Sequence, residues 1–339
     1  MLFFLGANLI IVVLIDLISY IIMLFLNMIV FYKKIPGDYG RHSFQREEKK
    51  RIIRYGLLCN FNDMGTQFLD TNIDNFILAL YLDPVAVGIY SFCDRLGKMI
   101  SRFSPISYLS EIVRPLYFSI GISAKKEELR QVNRIIIRYI FLYHITLLSY
   151  LIVVGKEIIS LVIGKYSEYH FIFICIFLFI SINAIEFSLG LAAQLEEKVN
   201  ILLISKIFGI YNLIADLIFI KLWGIMGIVV ATGSAVLFKN LFILWFVKEL
   251  FPIKQIMFFL LKIIGYWAGC SIIISKLVIH DPLEKIIIVS LFFIVFIFIF
   301  FFFISPVDNT EKRFLRIIGE QNRAFRSILL RAKLLRPLN

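Results

Sequence analysis

The chain has 339 residues, 60% of them hydrophobic, with 35 phenylalanines and a mean hydropathy of +0.87. That is more apolar sequence than a soluble domain of this size needs, and it calls for many membrane spans. The net charge of +12 is concentrated in residues 33–54 and 306–339, which each hold eight basic against three acidic residues and so supply +10 of it; basic clusters flanking apolar runs are the positive-inside signature and exclude a nucleic-acid surface as their first reading.

Leu2–Tyr32 is a first span. It has no basic leader and no small-residue cleavage site, and it is too long for a signal-peptide core. Residues 33–54 form a cytoplasmic amphipathic linker with a Pro36-Gly37 breaker. Two apolar runs follow, Tyr55–Tyr81 and Val85–Phe118, joined at Leu82-Asp83-Pro84. The second is expected to kink at Pro105. Ser123–Arg138 reads as a basic amphipathic connector, Tyr139–Val154 as a fourth span holding His144, and Gly155–His170 as an outer interfacial segment. Phe171–Leu195 carries Asn183 and Glu186, and Val199–Phe219 carries Lys206 and Asp216. After the Trp223-Gly224-Ile225-Met226-Gly227 turn, a seventh span rich in small residues runs to Val247; small residues permit close helix approach. Met257–Lys276 contains Gly265-x-x-x-Gly269, a low-specificity packing signal. Ile286–Ile304 has Ser290 as its one polar residue and is expected to face lipid. Residues 306–339 form a basic amphipathic tail on the inner leaflet.

The charged hairpin carries the functional signal. Asp63, Asp70 and Asp74 fall within about 20° of one helical line. Arg95, Lys98 and Arg102 share one face of the next helix. Asp74 lies nine residues before Asp83 and Arg95 eleven after Pro84, so both sit roughly 15 Å deep in a ~30 Å slab. A charge at that depth costs about 3 kcal/mol on insertion scales. Such groups either pair to fix helix packing or line a polar path for a charged cargo or coupling ion. His144, Glu186 and Asp216 are secondary polar candidates; a lone intramembrane histidine reads either as hydrogen-bonded packing or as a proton site.

No catalytic constellation emerges. A Walker loop is absent, the four histidines show no metal spacing, and Cys59, Cys93, Cys175 and Cys270 sit in apolar runs as small hydrophobes. No metal site, cofactor or nucleic-acid partner is expected. The outer turns are too short for the catalytic loop of a glycan polymerase, so the polar residues inside the membrane favour transport over catalysis.

Asn72-Ile73-Asp74-Asn75-Phe76-Ile77-Leu78, then Leu82-Asp83-Pro84-Val85-Ala86-Val87-Gly88-Ile89-Tyr90-Ser91 and Arg95, resembles the start of the second lobe of bacterial polysaccharide flippases. These belong to the multidrug/oligosaccharidyl-lipid/polysaccharide exporter superfamily. Ile220–Thr232 is similar to a late outer turn of that family, and the resemblance covers most of residues 45–250. It implies an all-α polytopic membrane protein with paired six-helix lobes, two additional helices at the end, and a cavity opening alternately to either side. It places Asp74 and Arg95 at family-typical polar positions. It also implies a cargo of undecaprenyl-pyrophosphate-linked oligosaccharide, a bacterial inner-membrane location, and a polysaccharide polymerase and chain-length proteins as candidate partners beside the membrane lipids.

The combined expectation is about nine transmembrane helices. Residues 1–32 would be a remnant of the first lobe, 55–250 the second-lobe bundle, and 256–305 two additional helices. Set against family members of twelve or fourteen spans, that count leads to the expectation of an N-terminally truncated or mis-started product. Arg95, Lys98 and Arg102 would attract the pyrophosphate or an acidic sugar. Asp63, Asp70 and Asp74 would balance those charges or carry a coupling proton or sodium ion. The alternatives are a multidrug exporter of the same superfamily, a membrane-embedded glycosyl or acyl transferase, and a scaffolding membrane protein.

Overall fold

The computed structural model describes residues 9–34, 50–61 except 52 and 59, 72–123, 126–162, 164–277, 279, 281–304 and 311–312. Among these, regular structure is entirely helical. The chain forms two units, Met1–Arg54 and Tyr55–Asn339. The first is described by α1, Leu9–Lys34, an uninterrupted apolar helix whose side chains from Leu17 to Ile29 are exposed.

In the second unit, after helical residues 55–58 and 60–61, comes a helical hairpin, α2 (Asn72–Tyr81) and α3 (Pro84–Arg102). The tip forms because Asp83 is an N-cap: its Oδ1 accepts from Ala86 N at 2.7 Å, and Pro84 occupies the first helical position, where no amide is needed. The same Asp-Pro device starts α12, where Asp281 accepts from Glu284 N at 2.8 Å. The expected kink at Pro105 is a full stop. Proline disfavours the helical conformation at the residue before it, and the chain turns at Phe103-Ser104 before α4 (Pro105–Ser123) begins.

α5 (Lys126–Val162) corrects the sequence reading more substantially. The expected connector, fourth span and first part of the outer segment are one helix of 37 residues. It contains no proline, and Glu127 and Glu128 complement its N-terminal dipole. The abrupt change from basic to apolar sequence marks where the helix enters the membrane. At ~1.5 Å per residue it is far longer than the hydrocarbon layer.

α5 is the hub of the unit, because it contributes to three apolar cores. One core joins it to α4, α7 (Glu186–Leu195) and α10 (Ile225–Val247) through Ile136, Tyr117, Ala192 and Ile243. A second joins it to α2, α3 and α6 (His170–Asn183) through Leu151, Leu78, Tyr90 and Phe177. The third joins it to α11 (Ile253–Ser275) and α12 (Pro282–Ile299), where Trp267 stacks on Phe293 with centroids 4.8 Å apart. Asn133 on α5 locks the first core. It donates to Tyr117 Oη at 3.1 Å and to the Leu250 carbonyl at 3.0 Å, and its own oxygen accepts from Ser188 at 2.9 Å.

α8 (Val199–Ile204) and α9 (Ile207–Trp223) complete the bundle. α9 turns into α10 at Gly224, with φ +57° and ψ −133°, a conformation that L-residues avoid. Three residues later Gly227 lies so close to α9 that a Cβ would collide with the Phe219 carbonyl. The small residues of the seventh span thus serve close approach, as expected. Those of Gly265-x-x-x-Gly269 do not: a Cβ on either glycine would meet nothing within 4 Å.

Six described helical segments are long and apolar enough to cross a membrane. α12 leaves Ile287, Leu291, Ile294, Val295 and Phe298 exposed, a face whose matching solvent is acyl chain.

Candidate functional site

Four elements converge on Asp74, which is 2% exposed. Its Oδ2 accepts from Tyr90 Oη on α3 at 2.5 Å and from Thr232 Oγ1 on α10 at 3.2 Å. Its Oδ1 accepts from Asn212 Nδ2 on α9 at 3.4 Å. One turn along α9 from Asn212 is Asp216, fully buried and close enough to Asp74 for the two carboxyls to interact directly. Among the described residues, both Asp216 carboxylate oxygens and the Asn212 amide oxygen have no hydrogen-bond partner. Among the described residues, the groups acting on the two carboxyls are Tyr90, Thr232, Asn212, Asp94 and each other, with no basic side chain among them.

Local sequence explains this convergence. The Asp83-Pro84 tip sets the hairpin register, so Asp74 faces Tyr90 and Asn75 faces Ser91 (2.8 Å). Gly224 and Gly227 fix α9 against α10, which brings Asn212 and Thr232 to the same depth. Two buried carboxyls without a cation are unstable as a pair of negative charges. The arrangement can hold a shared proton. It can also hold a hard monovalent cation among carboxylate, amide and hydroxyl oxygens, the donor type such ions favour. Asp74, Asn212, Asp216 and Thr232 are the residues that would hold it.

The cluster opens onto a cavity of about 550 Å³. Its wall carries Lys98, Arg102, Lys206 and Lys239 with Asp94 and Glu186. Lys98 pairs with Asp94 at 2.9 Å across one turn of α3. Lys239 bridges Glu186 (2.6 Å) and Asn183 (3.2 Å) and is largely buried. A second cavity of about 370 Å³ shares Ser101, Asn183, Glu186 and Lys206 with the first and continues past Ser104, Ser107, Arg114 and Gln194. Together they form a polar strip along one side of the bundle. Its basic groups suit a phosphate or carboxylate, and its hydroxyls and amides suit a sugar.

The sequence-predicted residues fall unevenly on this site. Asp74, Lys98, Arg102, Glu186 and Asp216 line or adjoin the cavities. Arg95 is exposed and outside the lining; it sits beside the Asp94–Lys98–Arg102 stripe, and Tyr90 rather than Arg95 meets Asp74. Asp63 and Asp70 lie outside the described residues. His144 lines the second cavity. Its Nδ1 donates to the Ile140 carbonyl at 3.0 Å, and its Nε2 lies 3.1 Å from Ser101 Oγ. Sequence reasoning passed over Tyr90, Asn212, Thr232 and Lys239. An Asn and an Asp four apart on an otherwise apolar helix was the available signal for Asn212, because that spacing stacks both on one face.

The family model described as "Polysaccharide biosynthesis protein" matches residues 1–110, the stretch holding α1 and the α2–α3 hairpin. None of the curated proteins matches the sequence. Among solved structures the chain is similar to the lipid II flippase MurJ in its inward closed conformation, at 19% identity and a TM-score of 0.54, covering 70% of this chain and 52% of that one. The chain therefore spans about half the length of that flippase. The sequence resemblance, the family match over the charged hairpin and the structural likeness agree, and the described helices share the fold of MurJ.

Proposed function

We propose that this chain is a transporter of the polysaccharide-flippase type, moving oligosaccharide repeat units linked to undecaprenyl pyrophosphate across a bacterial inner membrane for surface polysaccharide synthesis. The observation that carries this reading is a buried Asp74–Asp216 pair opening onto a cavity whose wall bears Lys98, Arg102, Lys206 and Lys239. An anionic cargo meets the basic wall, and a coupling cation meets the acids. Arg102 supplies a bidentate fork for a phosphate, while Lys98 and Lys239 can exchange Asp94 and Glu186 for it. The acidic pair takes a proton or sodium ion as co-substrate, and its neutralisation shifts the balance between cavity states by the difference in affinity of the two states for that ion. A polymerase and chain-length proteins receive the product.

The test is genetic complementation in the native host. Cells lacking the gene and supplied with the wild-type chain display surface glycan. Cells supplied with Asp74→Asn, or with Lys98→Gln and Arg102→Gln together, at equal protein level lose glycan and accumulate lipid-linked repeat units. Full surface glycan with both variants defeats the proposal. Retained glycan with loss of cationic-dye extrusion moves the chain to the multidrug branch of the superfamily.

A further inference from the structure

A third cavity, of about 400 Å³, lies away from the polar strip, between α5 and the start of α11. Arg134, Arg138, Lys254 and Gln255 line it together with Phe258 and Phe259. Its depth follows from α5. Between Arg138 and Lys156 the helix carries no Asp, Glu, Lys or Arg for 17 residues, about 26 Å at the helical rise and close to one hydrocarbon thickness. Arg138 and Lys156 therefore mark the two edges of the apolar layer. Arg134 sits one turn outside the first edge, at the level of the phosphates. The same end of α5 carries Lys126 and Arg130, so positive-inside placement puts the cavity on the cytoplasmic leaflet.

The cavity is preorganised for an anion. Arg138 is held by its ion pair with Glu311 and lies 5.3 Å from the Phe259 ring centroid. Arg134 Nη1 reaches Gln255 Oε1 at 3.5 Å. Lys254 is exposed in the first turn of α11, a helix of 23 residues whose amino end also favours negative charge. Arg134, Arg138 and Lys254 thus set three cationic side chains around the cavity, with Glu311 paired to Arg138. Below it, Phe258 and Leu261 continue the line of Lys254 at four and seven residues along α11, and they are 71% and 64% exposed. Phosphate-level cations above an exposed apolar groove match one amphiphile: headgroup in the cavity, acyl chain against Phe258 and Leu261.

We infer that this cavity binds an anionic glycerophospholipid of the cytoplasmic leaflet, its phosphodiester held by Arg134 and Lys254 beside the anchored Arg138. The site is separate from the cargo cavity and does not depend on what the protein transports. A phospholipid seated there would bridge α5 and α11 at the membrane edge.

The test uses the full chain in detergent, with native mass spectrometry counting retained phosphatidylglycerol or phosphatidylcholine and with inorganic phosphate as a competitor. Wild type retains phosphatidylglycerol in preference to phosphatidylcholine. Lys254→Gln and Arg134→Gln each weaken its retention about fivefold, the effect of one basic residue at an anionic surface. Lys254 is exposed, so its substitution leaves folding intact. Lys126→Gln, which removes an equal charge from the same end of α5 outside the cavity, leaves retention unchanged. Equal loss in the Lys126 variant would mean diffuse surface attraction, equal retention of phosphatidylcholine would mean no charge recognition, and displacement by inorganic phosphate would mean a soluble anion site. Any of the three overturns the inference.

Discussion

Replacing Asp74 by asparagine separates ion binding from packing. The Asn oxygen can still accept from Tyr90 and Thr232, which now lie 2.5 and 3.2 Å from Asp74 Oδ2. The new amide nitrogen would face Asn212 Nδ2 across the present 3.4 Å contact, but Asn212 can turn its amide over, because its oxygen has no partner. The variant therefore exchanges charged for neutral hydrogen bonds and also removes one of two adjoining carboxyls, so its stability should stay within about 1 kcal/mol of wild type. Asp74→Leu strands the Tyr90, Thr232 and Asn212 donors at about 1–3 kcal/mol each and should cost roughly 3–9 kcal/mol. Ion binding responds differently. A cation at a hundred times its dissociation constant stabilises the native state by about 2.7 kcal/mol. The assay is thermal unfolding of the detergent-solubilised chain, with sodium exchanged for choline and with pH varied. Wild type should gain several degrees in Tm from whichever ion it uses. Asp74→Asn should unfold near the wild-type midpoint measured without that ion and gain nothing when it is added. An asparagine variant that keeps the full ion-dependent gain would refute the role of the Asp74–Asp216 pair. A variant that loses as much stability as Asp74→Leu would refute the hydrogen-bond accounting.

Three further outcomes follow from the same reasoning. Gly227→Ala drives a methyl group into the Phe219 carbonyl and should cost about 1–3 kcal/mol as α9 and α10 separate, whereas Gly265→Ala, with nothing within 4 Å of its Cβ, should be neutral or stabilising by up to ~1 kcal/mol; paired thermal melts check both. Asn133→Leu removes the donor to Tyr117 and Leu250 and the acceptor for Ser188, and should lower stability by roughly 2–4 kcal/mol without altering ion dependence. At the membrane edge, Lys126 donates to Glu249 at 2.7 Å and holds that carboxyl below its ordinary value of 4.5. The folded state thus binds this proton more weakly than the unfolded chain, so the pair's contribution is present above the unfolded-state value and lost as pH falls through the folded-state one. Lys126→Gln should flatten the acid limb of the Tm profile below about pH 5, and added salt should mask the difference.

The sequence alone determined the solvent of this protein and the axis of its charged hairpin. Apolar runs of span length admit no other environment, and an Asp-Pro dipeptide between two of them sets a tip, which the structure capped at both Asp83 and Asp281. It also marked Asp74 and Asp216, because an isolated acid in an apolar helix stands out without any knowledge of neighbours. What it could not supply was partners. Depth matching put Asp74 and Arg95 at one level but left open whether they meet; two helices crossing at a tip bring together only the faces they turn to each other, and that rotation placed Tyr90 inward and left Arg95 exposed. The continuity of α5 through a connector that read as separate was decided by packing, since one helix serves three cores. The acidic cluster joins α2 and α3 to α9 and α10, more than a hundred residues later. Pairwise side-chain meetings across that separation have no periodic trace along the chain; they follow from helix rotation fixed by close contacts such as Gly227 on Phe219, and only the tertiary structure holds that information.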